Sequence, residues 1–305
     1  MKKITSIFLT LIILLTSFST TALAKDEHLG IVSKFPIGNG DYSFVEYCAY
    51  ELECDVSDLK VVNNVVYKLS KNKKYYSVKH LFDTVSNAKN ATEVTIVAKI
   101  DGIPVTRIYD CLHVTASETS NFGQTTKYGH KVEKITLPKT IKRIGYRAFA
   151  YLPNLKEINL PNSITKIGVW AFAYTKSLKT INIPKNLKKG NQAFFLMEGL
   201  ETVKIPKKLK TVPNSFFSYC KNLSEVTFAG NCDRINKYAF RECKSLEKIT
   251  FKGKIPVISK DTFAYANQGI KFYVKNEKCA QTLEKQLENS TAKNPKIYIG
   301  KKLYK

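Results

Sequence analysis

The residues with chemistry to offer are seven cysteines, four histidines, 17 tyrosines, one tryptophan and a large excess of lysine. Metal chemistry needs Cys or His ligands at short, paired spacings. The chain has no CxxC, and His28, His80, His113 and His130 are scattered. No nucleophile elbow, HExxH segment or glycine-rich phosphate loop occurs. The expectation is a non-enzymatic protein with no metal and no cofactor, whose chemistry is contact. Cys220 and Cys243 hold one repeat position, three residues after Phe217 and Phe240, so their thiols are neighbours that either pack as core filler or pair as a disulfide. Cys48 and Cys54 flank a short segment and could close a small loop.

Contact chemistry has three sources. Tyr151, Tyr174, Tyr219 and Tyr265 each stand two residues after a recurring phenylalanine, with Leu196 and Glu242 interrupting the row. Such rings either stack on sugars and anchor partners or pack on one another along an edge. Trp170 shares its position with Arg147, Gln192, Ser215, Tyr238 and Asp261, company that implies exposure. The second source is a polar strand face, where alternation turns outward Glu157 with Asn159, Thr180 with Asn182, and Thr202 with Lys204. The third is a basic edge holding Lys185, Lys188, Lys189, Lys207 and Lys208, with Arg143, Lys166 and Arg234 on the same extended pieces. It would attract anionic polymers, less so in salt.

The elements that position these side chains repeat. Phe149, Phe172, Phe194, Phe217, Phe240 and Phe263 follow one another at 23, 22, 23, 23 and 23 residues, and Leu155, Leu178, Leu200, Leu223 and Leu246 keep the same step. After each leucine comes a strand-like stretch such as LKEINL or LKTINI, and Pro138, Pro161, Pro184 and Pro206 end the first strand where a corner is needed. A period of this size means a solenoid whose coils bury their apolar sides only against one another. The coil that holds Pro184 is one residue short and has Gly190 where others have an apolar residue, so an irregularity is expected at Lys188 to Asn191. Asp101-Gly102 signals a turn in a diverged first coil, and the polar stretch 112–130 reads as a loop. Residues 276–290 form an amphipathic helix with Cys279, Leu283 and Leu287 on one side, and KIYIGKKLYK a closing strand.

Lys2 and Lys3, an apolar run from Ile7 to Leu15 and the ending Ala22-Leu23-Ala24 read as a secretory leader. The expected organisation is leader 1–24, an N-terminal β-rich cap or module 25–90 carrying Tyr42, Phe44, Tyr47 and Tyr50, repeats 91–275 and a C-terminal cap 276–305. No later segment is long and apolar enough for a membrane helix. The formal charge is +24, from 49 basic and 25 acidic residues, yet only five of the cations are arginine. Nucleic-acid readers lean on arginine, so this balance argues against a nucleic-acid partner and for a solvated or polyanion-seeking surface.

The repeat L-x-x-I-x-L-P-x-x-I-x-x-I-G-x-x-A-F, seen most fully in LKEINLPNSITKIGVWAF from Leu155 to Phe172, resembles the BspA-like leucine-rich repeat family of secreted and surface proteins. VTIVAKIDGIPVTRI resembles the first coil of that family, and the likeness runs from about residue 91 to the end. It implies a mainly β, right-handed leucine-rich-repeat solenoid with coils of about 23 residues, and a secreted protein that binds proteins or glycans in adhesion. The family brings no shared catalytic residues. The alternative is a scaffold associated with the cell wall and retained by its basic charge.

Overall fold

A computed structural model describes residues 34–37, 40–43, 54–63, 65–81, 92–108 and 131–304. The leader, Cys48, the loop at 112–130 and the side chains of Tyr42, Phe44, Tyr47 and Tyr50 lie outside the described residues.

β1 (Lys34–Ile37) and β2 (Gly40–Ser43) form a hairpin. β3 (Leu59–Val62), β4 (Val65–Leu69) and β5 (Tyr76–Leu81) make an antiparallel meander. The first coil follows, with β6 (Glu93–Thr95), β7 (Lys99–Ile100) and β8 (Ile103–Ile108). β7 and β8 are joined at Asp101 and Gly102, both left-handed at φ 49° and 77°, which is the tight hairpin turn that the Asp-Gly pair favours.

The regular coils then alternate a first and a second strand. In chain order they are β9 (Lys134–Thr136), β10 (Arg143–Ile144), β11 (Glu157–Asn159), β12 (Lys166–Ile167), β13 (Thr180–Asn182), β14 (Thr202–Ile205), β15 (Thr211–Val212), β16 (Glu225–Phe228), β17 (Arg234–Ile235), β18 (Lys248–Phe251), β19 (Val257–Ile258) and β20 (Lys271–Val274). α1 (Glu277–Glu288), β21 (Lys296–Ile299) and β22 (Lys302–Leu303) close the chain. The strands stack in parallel, coil on coil, into a first-strand and a second-strand ladder, so the fold is the mainly β solenoid that the repeat predicts.

The core is a ladder of phenylalanines. Rings of Phe149, Phe172, Phe194, Phe217, Phe240 and Phe263 follow one another at 5.4, 5.4, 5.6, 5.7 and 5.8 Å, each essentially buried. Removing one such ring costs about 3–5 kcal/mol. Both ends of the stack are sealed. Tyr67 is fully buried and its hydroxyl accepts the Val97 N–H at 3.2 Å, while β5 joins β8 and extends the second-strand ladder. At the far end α1 buries Cys279, Leu283 and Leu287, and the Gln286 Oε1 accepts the free N–H of Ile258 at the ladder edge.

The short coil interrupts both ladders. Across it the second strands keep a single bridge, Lys166 to Lys189, before pairing resumes at β15. The first-strand ladder runs β6, β9, β11 and starts again at β13. The irregularity expected at Lys188 to Asn191 is there, and it reaches the opposite ladder as well.

Candidate functional site

Each regular coil ends in a tight turn around its recurring phenylalanine, and every such turn but the last, which has one, holds two left-handed residues that are not glycine. One precedes the alanine-type residue: Arg147, Trp170, Gln192, Ser215 and Tyr238, at φ 51° to 61°. The other stands two after the phenylalanine: Tyr151, Tyr174, Leu196, Tyr219, Glu242 and Tyr265, at φ 55° to 62°. An L-residue in this region costs roughly 1–2 kcal/mol. Pairing between coils holds it there: the N–H groups of Tyr151 and Tyr174 donate to Ala173 and Leu196 carbonyls at 2.9 and 2.8 Å, and that of Trp170 donates to the Gln192 carbonyl at 2.9 Å. The conformation repeats without glycine, so no residue type in the sequence signals it.

The side chains of these turns form a strip of rings and guanidinium groups. Tyr151 stacks on Tyr174 at 4.7 Å, and burial together with the neighbouring phenol pushes the Tyr151 hydroxyl pKa up. Trp170 lies between Tyr146 at 6.1 Å and Phe195 at 5.6 Å, and the Arg147 guanidinium sits 4.6 Å over its ring. Trp170 is therefore half-buried rather than open, because Phe195 and Arg147 cover a position whose sequence companions implied exposure. Phe195 continues to Tyr219 at 5.3 Å, and Arg241 lies 5.3 to 5.5 Å from Tyr219, Tyr238 and Tyr265. Tyr265 is the open end of the strip, 67% exposed. The buried Nε atoms of Arg147 and Arg241 and the Trp170 Nε1 have no hydrogen-bond acceptor. Arg147, Phe195 and Arg241 belong to the strip although a row of tyrosines in the sequence does not include them.

The polar strand face is exposed at Glu157, Asn159, Thr180, Asn182 and Lys204. Two of these are already engaged. Glu157 pairs with Lys134 at 3.8 Å. The Asn182 amide spans the gap between β11 and β13, its Oδ1 accepting from the Leu160 N–H at 2.9 Å and its Nδ2 donating to the Leu160 carbonyl at 2.7 Å. Asn182 thus replaces the missing strand pairing.

Lys185, Lys188, Lys189, Lys207 and Lys208 are all exposed. They do not form one row. Lys188 and Lys189 line a groove of ≈ 810 Å³ along the second-strand ladder, together with Arg107, Arg143 and Lys166, whereas Lys185, Lys207 and Lys208 lie outside it. Gly145, Gly168 and Gly190 line the same groove. A Cβ on Gly168 would stand 2.4 Å from the Gly145 backbone, so the coils close up there only because side chains are missing. The Ile-Gly pairs after Arg143 and Lys166 are the sequence signal for this trough.

Cys54, Cys220, Cys232, Cys243 and Cys279 are free. The Cys220 and Cys243 thiols donate to the carbonyls of Phe194 and Phe217 at 3.0 and 3.2 Å, and burial pushes Cys220 up to about 12 and Cys243 well above its ordinary value. Core packing is their role. Among the described residues no group of His, Cys, Asp and Glu could hold a metal ion, and no helix is long and apolar enough to cross a membrane.

With two ladders, a phenylalanine spine and a turn strip in place, comparison with known proteins is specific. The profile of the BspA type leucine rich repeat region matches residues 82–195, 120–232, 147–270 and 188–293, in 6 copies. The chain belongs to the BspA-type leucine-rich repeat family. Among solved structures this BspA-type chain is similar to a leucine-rich repeat protein from Bacteroides ovatus, at 22% identity over 71% of this chain and 65% of that one, with a TM-score of 0.42. It thus covers just under two thirds of that relative's length. It is also similar to the T. pallidum leucine-rich repeat protein, at 17% identity over 77% of this chain and 98% of that one, with a TM-score of 0.43. The pneumococcal vaccine antigen PcpA matches at 16% identity over 80% and 99% of the two chains, with a TM-score of 0.27. No curated protein shows significant sequence similarity to it.

Proposed function

We propose that this BspA-type protein is an exported, non-enzymatic binding protein that holds a protein or glycan partner against its repeat surface, in the manner of an adhesin. The observation that carries this reading is the turn strip. It presents rings from Tyr146 to Tyr265 along successive coils, with Tyr265 the most exposed of them. Rings in a row suit both sugar faces and protein hot spots. The leader read at residues 1–24 supplies the route out of the cell and favours a location at or beyond the surface.

The test uses the exported chain, residues 25–305, on arrays of host matrix proteins and neutral glycans. For a partner captured there, Trp170→Ala combined with Tyr174→Ala weakens binding by about tenfold or more, as loss of aromatic anchors does. Unchanged affinity in a folded double variant removes the strip from the interface. A second reading, retention on the wall by charge, is favoured by the exposed Lys185, Lys207 and Lys208, which stand apart from the groove. It predicts that the protein sediments with isolated walls at low salt and is released at about 0.15 M salt, where the Debye length is about 8 Å.

A further inference from the structure

The excess positive charge of this chain is distributed unevenly between the ladders. Along the first-strand ladder, on the strands or at the residue before them, acid faces base across coils: Lys134 pairs with Glu157, Lys156 with Glu133 at 3.0 Å, Lys179 with Glu201 at 2.9 Å and Lys248 with Glu225 at 3.0 Å. On the second extended pieces of the first four coils the register does the opposite. Arg107 stands opposite Arg143, Arg143 opposite Lys166, and Lys166 opposite Lys189. Among the described residues, the ion pairs include none of these four cations. Like charges directly opposite one another on neighbouring strands destabilise a sheet. Here four of them are set at one strand spacing, ~4.8 Å, and left uncompensated.

The row also has a shape. It borders the groove whose lining includes Gly145 and Gly168, with Asn191, Pro213 and Asn236 at the equivalent position of the later coils, and Gly190 where the other coils have an aliphatic residue. Arg107 is further fixed by the Tyr75 ring, 4.2 Å away. Tyr146 forms part of the wall and is 38% exposed, and Asn191, Thr211 and Asn236 add neutral hydrogen-bonding groups.

We propose that this groove is a binding site for a linear acidic polysaccharide, with Arg107, Arg143, Lys166 and Lys189 each taking one charged group of successive sugars. One cation per coil fits a chain with one carboxylate or sulfate per sugar. The neutral polar groups meet hydroxyls, and the exposed Tyr146 ring meets a sugar face. The cations repel one another when the groove is empty, so the ligand relieves a strain as well as adding contacts. The groove adjoins the turn strip at Tyr146, which belongs to both, but its four cations lie outside the strip, so their role stands or falls independently of the partner proposed there.

The test is titration of the full chain without its leader with tetrasaccharides of two chemistries, heparin fragments for sulfate and oligogalacturonate for carboxylate. Neutral dextran and single-stranded DNA serve as comparison ligands. Two variants of equal net charge are compared: Arg143→Gln with Lys166→Gln in the groove, and Lys185→Gln with Lys208→Gln outside it. The expected result is binding of at least one acidic tetrasaccharide, weakened about tenfold by the groove pair and less than about threefold by the outer pair. Tyr265→Ala, at the far end of the turn strip, leaves it unchanged. The groove pair should melt at or above the wild-type temperature, since two opposed like charges are gone. If that pair fails to fold, Lys189→Gln alone, at an exposed side chain, takes its place. Equal weakening by both pairs, tighter binding of DNA than of either sugar, or no binding of acidic sugars at low salt would each overturn the proposal.

Discussion

The ring of Phe216 fills the space that Gly190 leaves in the coil before it: a Cβ on Gly190 would stand 3.1 Å from Phe216 Cε2. Every other regular coil has an aliphatic residue at the position of Gly190, as at Ile144, Ile167, Val212, Ile235 and Ile258, and a small one at that of Phe216, as at Ala148, Ala171, Ala193, Ala239 and Thr262. The two departures compensate. Phe216 packs edge-on against Phe194 at 4.9 Å and restores the volume of the short coil. Phe216→Ala should therefore lower stability by about 3–5 kcal/mol. Gly190→Ala should cost less, about 1–3 kcal/mol, because Leu187 and Phe216 must both give way. Gly190→Ile together with Phe216→Ala restores the family pattern, and urea unfolding should show a smaller loss than the sum of the single changes. Additive losses would mean that the two residues do not share the cavity.

Asn182 is the second prediction. Its amide supplies both hydrogen bonds that link Leu160 to the next coil where strand pairing fails. Asn182→Ala leaves a backbone N–H and a carbonyl without these partners and should cost about 1–3 kcal/mol. Asn159→Ala, on the same face one coil earlier, should change stability by less than about 0.5 kcal/mol. Hydrogen exchange at the Leu160 amide reports the bond directly, and an exchange rate that does not change in the Asn182 variant would count against it.

These two sites show what the sequence makes legible and what it does not. The period of Phe149 to Phe263, the corners at Pro138 to Pro206 and the helix with Cys279, Leu283 and Leu287 follow from composition at fixed spacing, and each appears in the fold. Gly190 marks the irregular coil for the same reason. The Asn182 bridge does not, because an outward asparagine on a strand looks the same whether its amide meets water or the next coil. Nor does the half-burial of Trp170, which depends on Phe195 one coil further along and on how Arg147 folds over the rings of Tyr146 and Trp170. The basic edge was visible as a composition. Its division into a groove row of Arg107, Arg143, Lys166 and Lys189 and an outer set depends on strand register, which the one-residue deletion alters locally.

The left-handed turn positions give a third prediction. Gln192 holds φ 53° and is half-buried. Glycine adopts this region without the clash of a Cβ, although it adds freedom to the unfolded chain. Gln192→Gly should be neutral or stabilising by about 0.5 kcal/mol. Gln192→Val, whose branched side chain tolerates positive φ least, should cost more than about 1 kcal/mol. Thermal melting of the two variants side by side is the measurement, and the opposite order would show that the turn relaxes out of the left-handed region.

The last prediction concerns alkaline pH. Burial holds the Cys220 thiol at about 12 against an ordinary 9.0, keeps Cys243 well above 9.0, and holds the Tyr67 hydroxyl at about 12 against 10.0. All three are neutral when protonated, so the folded state binds their protons more tightly than the unfolded chain does. Their contribution to stability is complete below the unfolded values, near pH 9 for the thiols. It is lost as pH rises towards the folded values, about 12 for Cys220 and Tyr67. The urea midpoint should thus hold steady up to about pH 9 and fall steeply above it. Cys220→Ala with Cys243→Ala should flatten the fall without abolishing it, since Tyr67 still titrates. A thiol reagent at about pH 8 should leave Cys220 and Cys243 unmodified in the native protein and label them only once it unfolds, because a buried, protonated thiol is a poor nucleophile. Labelling of the native protein at the rate of an unfolded peptide would place these thiols at the surface and remove both the pH argument and the packing one.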